Sequence, residues 1–141
     1  ADLEMASAQP AWNARRLSPK LASTTRRNTR HKMYRVIKRM EISGAHKLSL
    51  PYESKCRGLH GHNWIITVFC QSETLDENGM VVDFSRIKEI VHGKLDHQFL
   101  NNVVDFNPTA ENMARWICEQ VPHCYKVQVQ ESEGNTVEYE V

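Results

Sequence analysis

No stretch of this 141-residue sequence comes near the twenty or so consecutive apolar residues that a membrane-spanning helix needs, and no secretory apolar core is present. The four cysteines, Cys56, Cys70, Cys118 and Cys124, form neither a Cys-x-x-Cys pair nor a dense framework. A disulfide-stapled secreted domain is thereby disfavoured, and a reducing, cytoplasmic compartment is expected. Charge of one sign is also scarce, since the net is only +1. That balance hides an asymmetry: residues 1–32 carry seven Lys/Arg against two acids, and the rest carries eleven against fifteen.

The basic segment 1–32 has no sustained apolar period and is expected to be disordered. It reads as a vector-derived or mis-started leader, as an organellar transit peptide or as a nucleic-acid-binding arm, and the first is the reading adopted, because a clean domain start follows at Met33. No chemistry is read from it. Residues 33–141 make one domain by size, and an apolar fraction of 40% is enough for an ordinary core.

What is present centres on Cys56-Arg57-Gly58-Leu59-His60-Gly61-His62-Asn63-Trp64. Histidines two apart share one face of an extended chain, because strand side chains alternate. The β-branched and aromatic run Trp64–Cys70 then predicts a strand, with His60 and His62 at its entrance. From Met33 the even positions Tyr34, Val36, Met40 and Ile42 are apolar, and the same face reaches Gly44 and His46 unless a bulge intervenes. Three imidazoles with no fourth side chain is the pattern of a catalytic zinc with an open position. Cys56, four residues before His60, puts a nucleophile or base beside it.

The second strand is apolar on both faces, so both are expected to be covered, one by helices and one by a subunit interface or a closed barrel. Asp83 predicts the cap of a helix bearing Phe84, Ile87, Ile90, Val91 and Leu95. Thr109 predicts a second, with Glu111 in its first turn and Met113, Trp116, Ile117, Gln120 and Val121 inward. Strands over 125–131 and 136–141 follow, joined across Gly134-Asn135. The expectation is an α+β domain of order ββααββ, a four-stranded antiparallel sheet with two helices. Glu131 continues the apolar face of Val127 and Val129, so its carboxylate either turns to water at the strand end or meets a partner. Asp96-His97 is an acid–imidazole pair in sequence, but neighbours in a strand point opposite ways.

Taken together, Gly44-Ala45-His46-Lys47-Leu48, Cys56-x-x-x-His60-Gly61-His62, Gly79–Phe84, Leu95-Asp96-His97, Pro108–Asn112 and the late Glu131 resemble, in that order, the 6-pyruvoyl-tetrahydropterin synthase family. Within it they are most similar to the QueD branch, which forms 6-carboxy-5,6,7,8-tetrahydropterin in queuosine biosynthesis. The resemblance spans 33–141. It implies a tunnelling fold (T-fold), assembled as a homohexamer from two trimeric barrels. It implies zinc on His46, His60 and His62, Cys56 as the proton-abstracting base, and His97 with Asp96 as a relay. Glu131 would hold the pterin, and Glu111 and Thr109 would line its pocket. The implied substrate is 7,8-dihydroneopterin triphosphate, with no nucleic-acid or membrane partner. Ala110 departs from the pattern, standing where the family often has Thr or Ser.

Overall fold

Alternation of period two carries β1 from Tyr34 to His46, and its second half buries Met40, Ile42, Gly44 and His46 on one side. The computed structural model describes residues 32–141, so the expectation of a disordered arm falls outside the described residues except at Lys32. β2 (His60–Ser72) pairs antiparallel with β1 in one unbroken register, from Tyr34 opposite Ser72 to His46 opposite His60. No bulge interrupts it at Gly44, and His46 therefore emerges on the same side as Ile42.

The carboxylate of Asp83 accepts from Ser85 N–H at 2.8 Å and starts α1 (Phe84–Leu95), which buries Ile87, Ile90, Val91 and Leu95. Phe84, expected on that stripe, is instead exposed, with the Lys38 ammonium 5.8 Å above its ring. A two-residue strand, β3 (Gln98–Phe99), and a single-turn helix, α2 (Leu100–Val103), follow. Thr109 Oγ1 accepts from Asn112 N–H at 3.1 Å and caps α3 (Ala110–Gln120). Its buried residues are Ala110, Met113, Ala114, Ile117 and Cys118. Trp116 is only half-buried and Gln120 is exposed, so the inward stripe is rotated from the expected one toward Ala114 and Cys118. β4 (Cys124–Ser132) and β5 (Asn135–Glu140) close the chain, with Gly134 at φ +82 in the turn between them. That conformation is open to glycine without the Cβ clash other residues meet.

The sheet order is β3-β1-β2-β4-β5. The expectation of four antiparallel strands and two helices is corrected, among the described residues, to five strands and three α-helices: β3 pairs parallel with Gly44–Ala45 of β1, and the single turn α2 follows it. A two-residue strand has no period to read, and only its partner makes it one. Helices cover one face: α1 packs on β1, and α3 on β4 and β5. Between them lies the core, with Ile42, Trp64, Ile66, Val68, Val127 and Val129 almost wholly buried. The other face of β2 carries Ile65 and Phe69, half-buried and, among the described residues, without a helix over them, and Lys126 reaches across the Phe69 ring at 5.0 Å.

Candidate metal centre

The sheet brings His46, His60, His62 and Glu131 together at one end of the covered face. One potential ligand atom from each lies within 4.8 Å of all the others. The β1–β2 register does most of this work, because it sets His46 directly opposite His60. His62 follows two residues on, on the same side. Glu131 arrives from β4, where pairing with β5 shifts between Gln130 and Ser132. The choice left open for its carboxylate is thus resolved: it meets partners.

Backbone carbonyls set the imidazoles. His46 Nδ1–H donates to Pro108 C=O at 2.8 Å, and His60 Nδ1–H donates to Gly58 C=O at 2.8 Å. Each bond leaves Nε2 as the lone-pair nitrogen, the second contact by which metal-binding histidines are usually oriented. Trp64 stiffens the group from behind. Its Nε1–H donates to Gly44 C=O at 3.0 Å, and its ring meets His46 and His62 edge-on at centroid distances of 4.9 and 5.4 Å. Gly44 permits this approach, since a Cβ there would stand 3.2 Å from Trp64 Nε1.

Two nitrogens are left over. His46 Nε2 and His62 Nε2 are buried and without hydrogen-bond partners. Glu131 Oε1 lies 2.9 Å from His62 Nε2 and 4.0 Å from His46 Nε2. The shorter separation is within hydrogen-bond reach, yet it does not make a hydrogen bond, so both imidazole nitrogens stay available to a cation. Burial, first of all, pushes the His46 pKa below its ordinary value, with the Pro108 contact opposing it, so the ring is held neutral and able to ligate. Three imidazoles and a carboxylate suit zinc and also other divalent ions that take nitrogen and oxygen donors. The residues present fit a metal.

Asp96 and His97 form a contact that alternation argued against. His97 takes a left-handed backbone, φ +58, which turns its ring back so that Nδ1 lies 2.9 Å from Asp96 Oδ2. Such a conformation is uncommon outside glycine. Ser43 N–H donates to Asp96 Oδ1 at 2.9 Å, and His97 N–H donates to Ser43 C=O at 2.7 Å. That backbone donor, and after it the His97 bond, holds the Asp96 carboxyl below its ordinary range. His92 Nε2, 3.4 Å from the same Oδ2, is a neighbour that the sequence reading missed; its signal was the i,i+4 spacing. The His97 side chain is 81% exposed and lines a cleft of about 530 Å³ that His62 also lines.

Cys56 sits half-buried in a short 3-10 turn (Lys55–Arg57), with a free thiol outside the four-residue cluster. Glu111 and Glu131 line a separate cavity of about 280 Å³ together with Ala110 and Thr136. Thr109 is not on that lining, and its hydroxyl serves the α3 cap.

The sequence profile of the family described as 6-pyruvoyl tetrahydropterin synthase matches residues 35–141. The 6-carboxy-5,6,7,8-tetrahydropterin synthase of Bacillus subtilis is 33% identical over 112 residues, covering 67% of this chain and 77% of that one. The dihydroneopterin monophosphate aldolase of Pyrococcus furiosus is 37% identical over 90 residues, covering 62% and 74%. Among solved structures, the 6-pyruvoyl tetrahydropterin synthase of Caenorhabditis elegans matches with a TM-score of 0.64 at 26% identity, over 79% of this chain and 98% of that one.

Proposed function

This chain belongs to the 6-pyruvoyl tetrahydropterin synthase family, and on that footing we propose that it is a zinc-dependent 6-carboxy-5,6,7,8-tetrahydropterin synthase. It acts on 7,8-dihydroneopterin triphosphate and releases triphosphate and acetaldehyde. The observation that carries the reading is the converging His46, His60, His62 and Glu131 group with two buried, unpartnered Nε2 atoms.

Each residue has a chemical task in this reading. His46, His60 and His62 hold zinc, which when bound supplies a Lewis acid for the side-chain hydroxyls of the substrate. Cys56 takes a proton from the side chain as its thiolate. His97, oriented by Asp96, is the second acid/base, and its solvent exposure suits a group that must reach a ligand. Glu131 offers two coplanar oxygens to two adjacent N–H donors on the pterin edge. The cavity it shares with Glu111 supports that role. A homohexamer is expected as well, since the sheet face and the β5 edge that the described residues leave open are surfaces that neighbouring copies would close.

The choice of product rests on Cys56, which three residues separate from His60. That is the spacing of the carboxy-forming branch, and the pyruvoyl-forming branch has a longer spacer. Zinc-loaded protein, incubated with the triphosphate under reducing, oxygen-free conditions, is expected to yield acetaldehyde and 6-carboxytetrahydropterin by mass detection. Cys56→Ala abolishes both products and keeps the metal. Accumulation of 6-pyruvoyl-tetrahydropterin without acetaldehyde overturns the spacing argument. The aldolase relative supports one other reading, which turnover confined to dihydroneopterin monophosphate would favour.

A further inference from the structure

Between the two ligand-bearing strands the chain makes an excursion, residues 47–59, that carries Cys56. Its first residues lie outside any strand, yet both backbone groups of Lys47 and Ser49 are hydrogen-bonded. Lys47 N–H donates to Asn101 Oδ1 at 3.0 Å, and Asn101 Nδ2 donates back to Lys47 C=O at 2.9 Å. Two residues on, Ser49 N–H donates to Asn107 Oδ1 at 2.9 Å, and Asn107 Nδ2 donates to Ser49 C=O at 3.1 Å.

The pattern is that of a strand edge. In an extended chain the N–H and C=O of one residue face one edge, and alternate residues share it. Ser43 already faces that edge, giving its N–H to Asp96 and taking His97 N–H on its C=O. β3 pairs along it at Gly44–Ala45. Lys47 and Ser49 prolong it, with side-chain amides standing in for the strand that ends at Phe99. Leu48 faces the other way, and its N–H donates to Cys56 C=O at 2.8 Å. The clamp also reaches the metal ligands, because Pro108, next to Asn107, takes the Nδ1–H of His46 on its C=O.

We propose that Asn101 and Asn107 are positioning residues for the Cys56 thiol. They hold Lys47–Ser49 extended, so that the bond from Leu48 fixes the turn carrying Cys56 relative to the imidazoles. This rests on the reading of Cys56 as the base. A carboxamide is needed at both positions, since only a side chain with an acceptor and a donor side by side can meet the N–H and C=O of one residue.

The test uses the full-length, zinc-loaded protein. Asn101→Leu and Asn107→Leu remove both bonds at nearly constant size, and Asn101→Asp and Asn107→Asp keep the acceptor alone. The readouts are the rate of Cys56 alkylation by iodoacetamide, followed on its peptide by mass spectrometry from about pH 6 to 10, zinc content, and kcat and KM. Each Leu variant is expected to change the alkylation rate and lower kcat by about 10-fold or more, with zinc retained and KM within about a factor of two. The double variant should be scarcely worse than either single one, because both act on one segment. The Asp variants fall between, and they supply the result if a Leu variant does not fold. Ile117→Val, a core change far from the excursion in sequence, controls for general loosening. Wild-type alkylation rates and kcat in the clamp variants, or equal changes in Ile117→Val, overturn the proposal. If the wild type turns over no pterin, the functional reading fails, while the alkylation arm still decides the clamp.

Discussion

The covered face of the sheet carries metal-type side chains at two ends, and the ends behave differently. At one, His46 lies opposite His60; at the other, Cys70 of β2 lies opposite Cys124 of β4, with Cys118 coming from α3. Cys124 Sγ donates to Lys126 C=O at 3.4 Å, and the hydrogen bond with Cys70, followed by burial, raises its pKa. Burial pushes Cys118 up to about 12. Cys118 and Cys124 therefore stay thiols and behave as small apolar core groups. At the histidine end, carbonyls take the Nδ1 protons of His46 and His60, and the buried Nε2 atoms of His46 and His62 make no hydrogen bond. Residue type alone therefore does not make a site. What distinguishes the ends is whether the neighbours keep a proton on the group or leave a buried lone pair unpartnered.

Substitutions at the two ends should diverge accordingly. The largest effect is expected from His62→Ala, with metal affinity falling by at least about 100-fold while the circular dichroism spectrum stays native. Outright unfolding would make the metal structural and erase the contrast with an apolar core. Glu131→Gln sharpens the histidine end next. Pterin binding measured by calorimetry should weaken by about 1.5–3 kcal/mol with zinc content unchanged; loss of zinc would make Glu131 a ligand instead.

At the thiol end, Cys70→Ala should lower stability in urea by about 1–2 kcal/mol and leave metal content and turnover intact. Altered metal content would show that the ends communicate. The smallest effect concerns pH and the metal-free chain. The folded-state pKa of His46 lies below its unfolded value of 6.5, so the unfolded chain binds the proton first as pH falls. The stability associated with the neutral ring is complete above pH 6.5 and is lost progressively below it, by at most about 1.4 kcal/mol per pH unit. Urea midpoints at pH 7.5 and 5.5 test this, and His46→Asn should flatten the difference; a midpoint that rises on acidification contradicts the sign.

Local pattern was a good guide wherever one element decides the outcome. Alternation from Tyr34 to His46, the Asp83 and Thr109 caps and the shared face of His60 and His62 all follow from backbone periodicity and short-range hydrogen bonds. The pattern misled at the margins of elements. Phe84, the first residue of α1, points at nearly the same angle as Val91 yet is exposed at the end of the helix. Asp96 and His97 were judged by strand alternation, but a left-handed residue suspends that rule.

The sequence by itself determined which side chains of β1 and β2 lie on the covered face, because a period of two leaves no freedom once one face is buried. It could also nominate the three imidazoles, since His60 and His62 share a face at any extended geometry. Only the tertiary structure decided that Glu131 joins them, that Pro108 and Gly58 carbonyls choose the tautomers of His46 and His60, and that Asn101 and Asn107 complete the edge beyond His46. Those contacts join residues 2 to 62 positions apart, several through backbone carbonyls that every residue possesses. A group common to all residues leaves no mark in a sequence, and which one receives a given proton depends on where the chain has been brought to lie.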